Sequence, residues 1–331
     1  MSTAGNPTTA ASAGAAANTA GTLSSAATQS RLRAALAAVE RVILGKSAQV
    51  QLCLACLLAR GHLLIEDVPG VGKTTLAHTL ARVLGLDWTR LQFTSDLLPA
   101  DIIGVSIFDR TTQKFQFRRG PVFTQLLLAD EINRASPKAQ SALLEAMEER
   151  QVSVEGVSYA LPEPFFVVAT QNPHEQLGTY SLPESQLDRF LMRVSLGYPD
   201  AVSERQVLLQ GERRDMMNET PAVLSPAEVQ ALQAQARQIY VSDTLLDYVQ
   251  ALVARTRADL SLGLSPRAAQ GLLHAAQAWA LTCGDSAVLP EHVQAVFPAI
   301  AAHRLEPRES EGAANGSEIA GAVIKTVPIP I

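Results

Sequence analysis

The apolar positions of this 331-residue chain change their spacing along its length, and each change marks a boundary in its architecture. From Arg31 onward Leu32, Leu36, Val39 and the pair Val42/Ile43 recur at a helical period, and a second helical stretch covers Ala48 to Ala59. Short apolar runs of strand length follow: Leu63–Glu66, Trp88–Phe93, Leu126–Asp130, Phe165–Thr170 and Met192–Leu196. Helical segments such as Thr74–Leu84 and Pro137–Arg150 lie between them, and this alternation predicts an α/β unit with a mostly parallel sheet covered by helices. After Pro199 the strand runs stop. Ser203–Arg213, Pro226–Gln238, Asp243–Arg257, Pro266–Leu281 and Pro290–Leu305, the last interrupted by Pro298, predict an all-α unit.

Two stretches of period two interrupt the alternation. Val105–Phe108 and Phe115–Arg118, joined by Asp109-Arg-Thr-Thr-Gln-Lys114, predict a hairpin, and Gln151–Leu161 predicts a second one turning at Glu155-Gly156. At the far end, residues 306–316 are polar and read as a loop. Ser317 reads as the N-cap of a helix carrying Ile319, Val323 and Val327 at four-residue spacing. Val327-Pro-Ile-Pro-Ile331 is expected as an extended tail, or alternatively as a docking strand for a partner. Residues 1–30 consist almost entirely of Ala, Thr, Ser, Gly and Asn without a charged side chain, too little bulky apolar surface to offset ordering entropy. The expected division is a disordered tail over 1–30, an α/β core over 31–199 and a helical unit over 200–331.

Composition narrows the class. Lys and Arg number 27 against 32 Asp and Glu, a formal net charge of −5, and no dense basic run occurs, which lowers the prospect of a nucleic-acid groove without excluding a local patch. The opening residues lack the basic start and continuous apolar core of a secretory signal and the arginines of a transit peptide. The longest apolar run, Val50 to Ile65, is broken by Gln51, Arg60, Gly61 and His62, so a cytoplasmic protein without a membrane span is expected. Cys53 and Cys56 form a C-x-x-C pair, but no second pair of ligands is spaced to complete a zinc site, and two small apolar residues on a buried helix face account for them.

The chemistry concentrates at strand ends. Leu63–Glu66 leads through Asp67, Pro69, Gly70 and Val71 into Gly72-Lys73-Thr74-Thr75. The backbone N–H groups of such a loop surround a β-phosphate, Lys73 reaches the β/γ oxygens, the Thr74 hydroxyl holds Mg²⁺, and the following helix directs its positive end at the charge. A nucleoside triphosphate is the implied ligand. Asp67 stands where the general pattern has glycine, so the loop taken alone also reads as a Gly/Pro turn preceding a lysine. Gln125-Leu-Leu-Leu-Ala-Asp-Glu131 ends a strand in two carboxylates: beside bound MgATP, Asp130 holds the metal's hydration shell and Glu131 polarises the attacking water. Phe165–Thr170 continues into Gln171-Asn172, where Asn172 can orient the water without adding charge, although Asn172-Pro173 also reads as the start of a turn. Arg189, in Leu187-Asp-Arg-Phe190, and Arg267, in Ser265-Pro-Arg267, are single arginines at structural junctions, ordinary surface residues unless hydrolysis recruits them.

Taken in order, GHLLIEDVPGVGKTT, LLLADEINRASPKAQSALLEAMEERQV, FFVVATQNPHEQLGTYSLPESQLDRFLMR and GLSPRA closely resemble the MoxR family of AAA+ ATPases, over residues 31 to 331. The final VPIP is similar to the way that family ends, and its phosphate loop also carries aspartate where Asp67 stands. The resemblance implies a five-stranded αβα nucleotide domain with a helical lid, assembled into a ring, usually a hexamer. It implies that Gly72, Lys73 and Thr74 are Walker A, Asp130 and Glu131 Walker B, and Asn172 sensor 1. Arg189 becomes the arginine finger reaching a neighbour's ATP, with Arg193 a second candidate, and Arg267 becomes sensor 2. Val42, Ile43 and Gly45 would border the adenine, and the hairpins would face a pore or a client. The implied activity is Mg²⁺-dependent ATP hydrolysis driving chaperone-like remodelling, often alongside a von Willebrand factor A-domain protein. A magnesium-chelatase motor and a nucleic-acid translocase share the same core; the acidity of the chain and its lack of a basic arm weigh against the translocase.

Overall fold

A computed structural model describes residues 25–172, 178–210, 217, 219–306 and 315–329. Helices α1 (Ser25–Val42) and α2 (Ser47–Leu58) precede β1 (Leu63–Glu66), α3 (Lys73–Val83), β2 (Trp88–Gln92) and α4 (Pro99–Ile103). There follow β3 (Gly104–Asp109), β4 (Lys114–Arg119), β5 (Leu126–Asp130), α5 (Pro137–Glu149), β6 (Gln151–Val154), β7 (Val157–Ala160) and β8 (Phe166–Gln171). The α/β part closes with α6 (Glu184–Leu187) and β9 (Met192–Val194). The helical part is α7 (Ala201–Gln210), α8 (Pro226–Ala236), α9 (Asp243–Asp259), α10 (Pro266–Cys283), α11 (Pro290–Ala301) and α12 (Gly316–Thr326).

Five parallel strands form the sheet in the order β2-β5-β8-β1-β9, as the run of apolar segments predicts. Covered on both faces, its central strands are apolar without alternation. Alternation nonetheless divides the layers. Leu63, Ile65, Leu126, Leu128, Phe166 and Val168 belong to one core cluster, while Leu64, Leu127, Ala129, Val167 and Ala169 belong to the other. A one-residue slip of any central strand would exchange these sets. Both expected hairpins form as separate two-stranded ribbons, β3–β4 and β6–β7, and Phe117 of the first stacks on Tyr159 of the second with ring centroids 4.2 Å apart.

Most boundaries shift by a few residues from the sequence reading, and three of the shifts have a visible cause. Helix α1 starts at Ser25 and not after Ser30, because Thr28 is buried with its hydroxyl on Gln235 Oε1 at 3.2 Å and Gln29 Nε2 donates to the Leu281 carbonyl at 2.8 Å. Tertiary bonds thus order a stretch whose composition alone argues for disorder; the expectation for residues 1–24 falls outside the described residues. Helix α12 is capped by Asn315 and not Ser317: Asn315 Oδ1 accepts from the amides of Ser317 and Glu318, and the Glu318 carboxylate returns to the Asn315 amide at 3.1 Å. Its first residue must be small, since a Cβ on Gly316 would stand 1.9 Å from the Ala302 carbonyl oxygen. Helix α11 ends at Ala301, short of Leu305, where the Arg304 guanidinium takes the Ile300 carbonyl and Arg193 takes that of Ala302.

The helical part shares its core with the α/β part. Leu54 and Leu58 of α2, Leu272 and Ala276 of α10, Val296 and Ile300 of α11, and one face of the sheet belong to a single apolar cluster. Gln233 Nε2 of α8 reinforces it by donating to the Leu57 carbonyl at 2.8 Å. Cys53 and Cys56 lie buried within it, as expected of a helix face, and burial pushes the Cys53 thiol up to about 12.

Candidate active site

Parallel strands bring their C-terminal ends to one edge of a sheet, where ligands of open α/β folds bind. Register pairs Ile65 with Thr170 and Glu66 with Gln171, while Ala129 pairs with Ala169, so the ends of β1, β8 and β5 emerge side by side. Asp67, Asn172 and the pair Asp130/Glu131 therefore share that edge, as the order of the motifs predicts.

The loop from β1 to α3 has the backbone of a phosphate cradle. Gly70 and Gly72 sit at φ 86° and 95°, in the left-handed region, and Gly72 is the residue from which α3 starts. A Cβ at either would meet no atom within 4 Å. Backbone conformation, and not crowding by the chain itself, demands glycine here, and the space a side chain would fill is open to a ligand. Pro69 is exposed, while Val71, Thr74 and Thr75 are half-buried on the way into the helix. Lys73 Nζ donates to the carbonyl oxygens of Asp67 at 2.6 Å and Gln171 at 3.3 Å, which holds the cation across the ends of β1 and β8.

Asp67 explains why glycine is absent from its position. Its Oδ1 accepts from the Val68 amide at 2.9 Å, and its Oδ2 accepts from the Leu196 and Gly197 amides at 2.7 Å each and from the Ser195 hydroxyl at 3.1 Å. The side chain anchors the exit of β9 to the root of the loop, so its contribution to any ligand comes through its backbone. The same exit segment carries Asp200, which caps α7 through the Val202 and Ser203 amides, and Gly45 lies against it: a Cβ there would stand 2.5 Å from Ser203 Oγ. Val42 and Ile43, just before Gly45, are buried in the apolar core, so of these three residues Gly45 is the one that touches the segment Asp67 holds.

At the end of β5, Glu131 adopts φ 57°, ψ 50°, a left-handed conformation unusual for a non-glycine residue. Thr170 of β8 fixes the bend: its hydroxyl accepts from the Glu131 amide at 2.9 Å and donates to Asp130 Oδ1 at 2.6 Å. Arg90 of β2 grips the other oxygen, Asp130 Oδ2, from Nη2 at 2.6 Å and Nε at 3.1 Å, and also reaches Gln92 Oε1 at 3.1 Å. Gln92 Nε2 in turn donates to Glu131 Oε2 at 2.7 Å, and Arg134 Nε lies 3.1 Å from the same oxygen. One polar chain from β2 thus ties the two carboxylates together. Thr74 hydroxyl and Asp130 carboxylate are hard oxygen donors of the kind Mg²⁺ takes, and with the open cradle beside them the residues fit a MgATP-type ligand. Asn172 is buried at the end of β8 beside them.

Arg189 and Arg267 are brought together elsewhere. Arg189 Nη1 lies 3.0 Å from Glu148 Oε2 and donates to the Leu144 carbonyl at 2.7 Å, and Arg267 Nη1 lies 2.8 Å from Glu148 Oε1. They line one cleft on the α5 side that includes no residue of the phosphate loop. Arg193 differs from both: it bridges Glu66 at 2.7 Å and the Ala302 carbonyl at 3.0 Å, an internal strut between sheet and lid. Behind the cleft, buried Arg304 pairs with Asp188 at 2.6 Å and donates to the carbonyls of Asp188 and Phe190, while Ser265 Oγ lies 3.2 Å from Asp188 Oδ2. Asp188 therefore fixes the segments bearing both Arg189 and Arg267.

Sequence reading missed Arg90, Gln92, Thr170, Asp188 and Arg304. The first two carried a signal, polar residues at alternate positions of a strand flanking the one that ends in acids, whereas Arg304 becomes visible only when the helical part docks. One further cluster is not a site. Cys283, Asp285 and His292 place three potential ligand atoms within 4.8 Å of one another. The Leu289 amide donates to His292 Nδ1 at 3.1 Å, which leaves the imidazole proton on Nε2, facing Asp285 Oδ2 at 3.0 Å. Nε2 then has no lone pair for a metal, and the group serves as a helix cap.

Sheet order, cradle and paired acids define an α/β P-loop ATPase unit with a helical lid, and the comparisons agree. Residues 62–192 match the ATPase family associated with various cellular activities (AAA), and residues 252–322 match the AAA lid domain. The chain is 43% identical to chaperone MoxR1 of Mycobacterium tuberculosis, over 83% of its own length and 75% of the relative's, and 34% identical to protein MoxR of Paracoccus denitrificans, over 91% and 96%. A crystal structure from Cytophaga hutchinsonii assigned as an ATPase superposes with a TM-score of 0.84 at 35% identity, covering 93% of this chain and 97% of that one. More distantly, a magnesium-chelatase 38 kDa subunit of Acidiphilium rubrum is 31% identical over 54% of this chain and 52% of its own. The chain belongs to the MoxR family of AAA+ ATPases.

Proposed function

We propose that this chain binds ATP on the loop from Asp67 to Thr75 and hydrolyses it in a Mg²⁺-dependent reaction at the interfaces of a homo-oligomeric ring, a hexamer on the family pattern. The observation that carries the reading is the meeting of Asp130 and Glu131, at the end of β5, with the open cradle of Gly70 and Gly72 and the ammonium of Lys73. Thr74 and Asp130 would hold the ion, which when bound neutralises charge on the β and γ oxygens. Lys73 leaves the carbonyls of Asp67 and Gln171 for those oxygens. Glu131 takes a proton from the attacking water and Asn172 keeps that water in line; the new P–O bond forms as the bond to the β-phosphate oxygen breaks, and ADP leaves with the electron pair. Arg189 serves a neighbouring subunit's γ-phosphate, and Arg267, held by the same Glu148, acts beside it.

The work done is remodelling or maturation of a partner protein complex, metal insertion included, with a von Willebrand factor A-domain protein as the expected companion. Similarity to a protein named chaperone MoxR1 supports the remodelling part of this assignment. A magnesium-chelatase-type motor is the second reading, and the partial match to a chelatase subunit favours it. Among the described residues no helix is long and apolar enough to cross a membrane; action in the cytoplasm is part of the proposal. The test is phosphate release by the purified chain with and without Mg²⁺, alongside Lys73→Ala. Release that needs the ion and disappears in the variant is expected; release indifferent to Lys73 would overturn the reading.

A further inference from the structure

The net charge of the chain is −5, yet one cleft of about 250 Å³ gathers six arginines: Arg60, Arg150, Arg189, Arg237, Arg267 and Arg304. Two carboxylates, Glu148 and Asp188, line it with them. Asp188 answers Arg304, and Glu148 answers Arg189 and Arg267. Arg60 reaches only Glu163, at 3.5 Å and with both side chains exposed, a contact of little worth. Among the described residues neither Arg150 nor Arg237 forms an ion pair with a carboxylate, and Glu163 acts on Arg150 only from a distance, less strongly than Arg60 opposes it. Arg150 Nη2 donates to the Arg60 carbonyl at 3.0 Å, and Arg237 Nη1 lies 2.8 Å from His274 Nε2, which must accept and so belongs to a neutral imidazole. Burial first, and then the charge of Arg60, lowers the pKa of both guanidinium groups, while burial and then Arg237 lower that of His274.

Three of these cations stand at helix ends: Arg60 just beyond α2, Arg150 at the C-cap of α5 and Arg237 at the C-cap of α8. A helix C-terminus welcomes a cation, but each supplies only about half a unit of negative charge, less than a guanidinium carries. Arg60 and Arg150 moreover adopt φ 62° and 54°, where glycine is the low-cost residue. Helix capping therefore accounts for part of this charge and leaves the rest facing a shared cavity.

We infer that this cleft is a binding site for a phosphate-type polyanion, held by the guanidinium forks of Arg60, Arg150 and Arg237 with Arg267 at its edge. The inference deepens the ATPase reading, and rests on it where the anion is a neighbour's nucleotide: it adds Arg60, Arg150 and Arg237 to the cleft of Arg189 and Arg267 and needs no nucleotide in the chain's own phosphate loop. Two sources carry this chemistry, free polyphosphate and the triphosphate of a nucleotide seated on a second copy of this chain.

The test uses the full-length Lys73→Ala chain, titrated with inorganic tripolyphosphate by calorimetry and by thermal melting. Binding that weakens about tenfold or more when Arg150→Gln and Arg237→Gln are added is expected, since each removes charge-assisted bonds. Where that combination loses its melting transition, Arg237→Gln alone, at an exposed helix end, takes its place with the same readout. No binding up to millimolar tripolyphosphate, or equal binding by the arginine variants, would overturn the site. A second arm follows ATP-driven assembly of Glu131→Gln by sedimentation. Assembly lost with Arg150→Gln and Arg237→Gln assigns the anion to the neighbour's nucleotide; assembly kept while tripolyphosphate binding is lost assigns it to free polyphosphate.

Discussion

At the phosphate-loop edge the acids are answered one by one: Asp130 by Arg90 and Thr170, Glu131 by Gln92 and Arg134, and Asp67 by the amides of Leu196 and Gly197. In the cleft on the α5 side the balance is reversed, and Glu148 and Asp188 face six arginines. One surface offers a cradle, a lysine and two carboxylates whose neighbouring arginines, Arg90 and Arg134, are paired to those acids; the other offers arginines without a cradle. On the function proposed above, each is half of a phosphoryl-transfer site, and a ring that set one copy's cleft against the next copy's loop would complete it and make hydrolysis a property of the interface.

The largest effect is expected from removing one cation from each surface. Arg189→Ala should lower turnover about a thousandfold with ATP affinity in the same subunit nearly unchanged, since fingers act on the transition state. Steady-state phosphate release and nucleotide binding check it. Mixing Arg189→Ala with Lys73→Ala should restore part of the activity at hybrid interfaces, and no recovery in rings shown to mix counts against a role in trans.

Asp188 fixes the cleft from behind. Asp188→Ala leaves the buried Arg304 guanidinium without its carboxylate, and losing one partner of a buried pair costs about 3–5 kcal/mol. Urea unfolding should show a large fall in midpoint; a change below about 1 kcal/mol would mean that the carbonyls of Asp188 and Phe190 suffice for Arg304.

A third effect comes from buried histidine. His62 donates from Nε2 to the Met147 carbonyl at 3.2 Å and accepts the Val167 amide on Nδ1 at 3.0 Å, so a proton on Nδ1 would meet an N–H. Burial, the dominant cause, lowers its pKa from 6.5 to about 4. Between those values the unfolded chain binds the proton that the folded chain refuses, so stability is full above about pH 6.5 and falls as pH drops towards 4, by on the order of 3 kcal/mol. Denaturant midpoints against pH measure it, and a flat profile in that window would contradict the assignment. His303, also buried and shifted well below its ordinary value by burial and Arg304, adds in the same direction.

The smallest effect is expected at Arg90. Its guanidinium holds the carboxylate proposed for the metal, so Arg90→Gln should lower the Mg²⁺ concentration needed for half-maximal ATP binding by a factor of about ten or less. Titration of a fluorescent nucleotide at several Mg²⁺ levels reads this without requiring turnover.

The two surfaces also differ in how far they can be read from sequence. The loop edge is local. Gly70 and Gly72 are demanded by φ, and the acids of β5 follow directly from an apolar strand, so spacing alone places them. The roles left unseen there, Thr170 bending Glu131 and Arg90 gripping Asp130, depend on which strands become neighbours. The cleft draws Arg60, Arg150, Arg189, Arg237 and Arg267 from separate segments, none beside another in the chain, so no basic run betrays it. Motif resemblance singled out Arg189 and Arg267, but only docking of the helical part brings them to one glutamate. The start of α1 fails to show for the same reason: the bonds of Thr28 and Gln29 reach across more than two hundred residues.

In the proposed reaction Glu131 activates water beside a triphosphate held by Lys73. The most direct measurement is paired: equilibrium binding of ATP and single-turnover phosphate release by Glu131→Gln against the unmodified chain. Affinity within about threefold and release slowed by about a hundredfold or more is the predicted result. Release at an unaltered rate would contradict the claim and return the acid of β5 to a structural role.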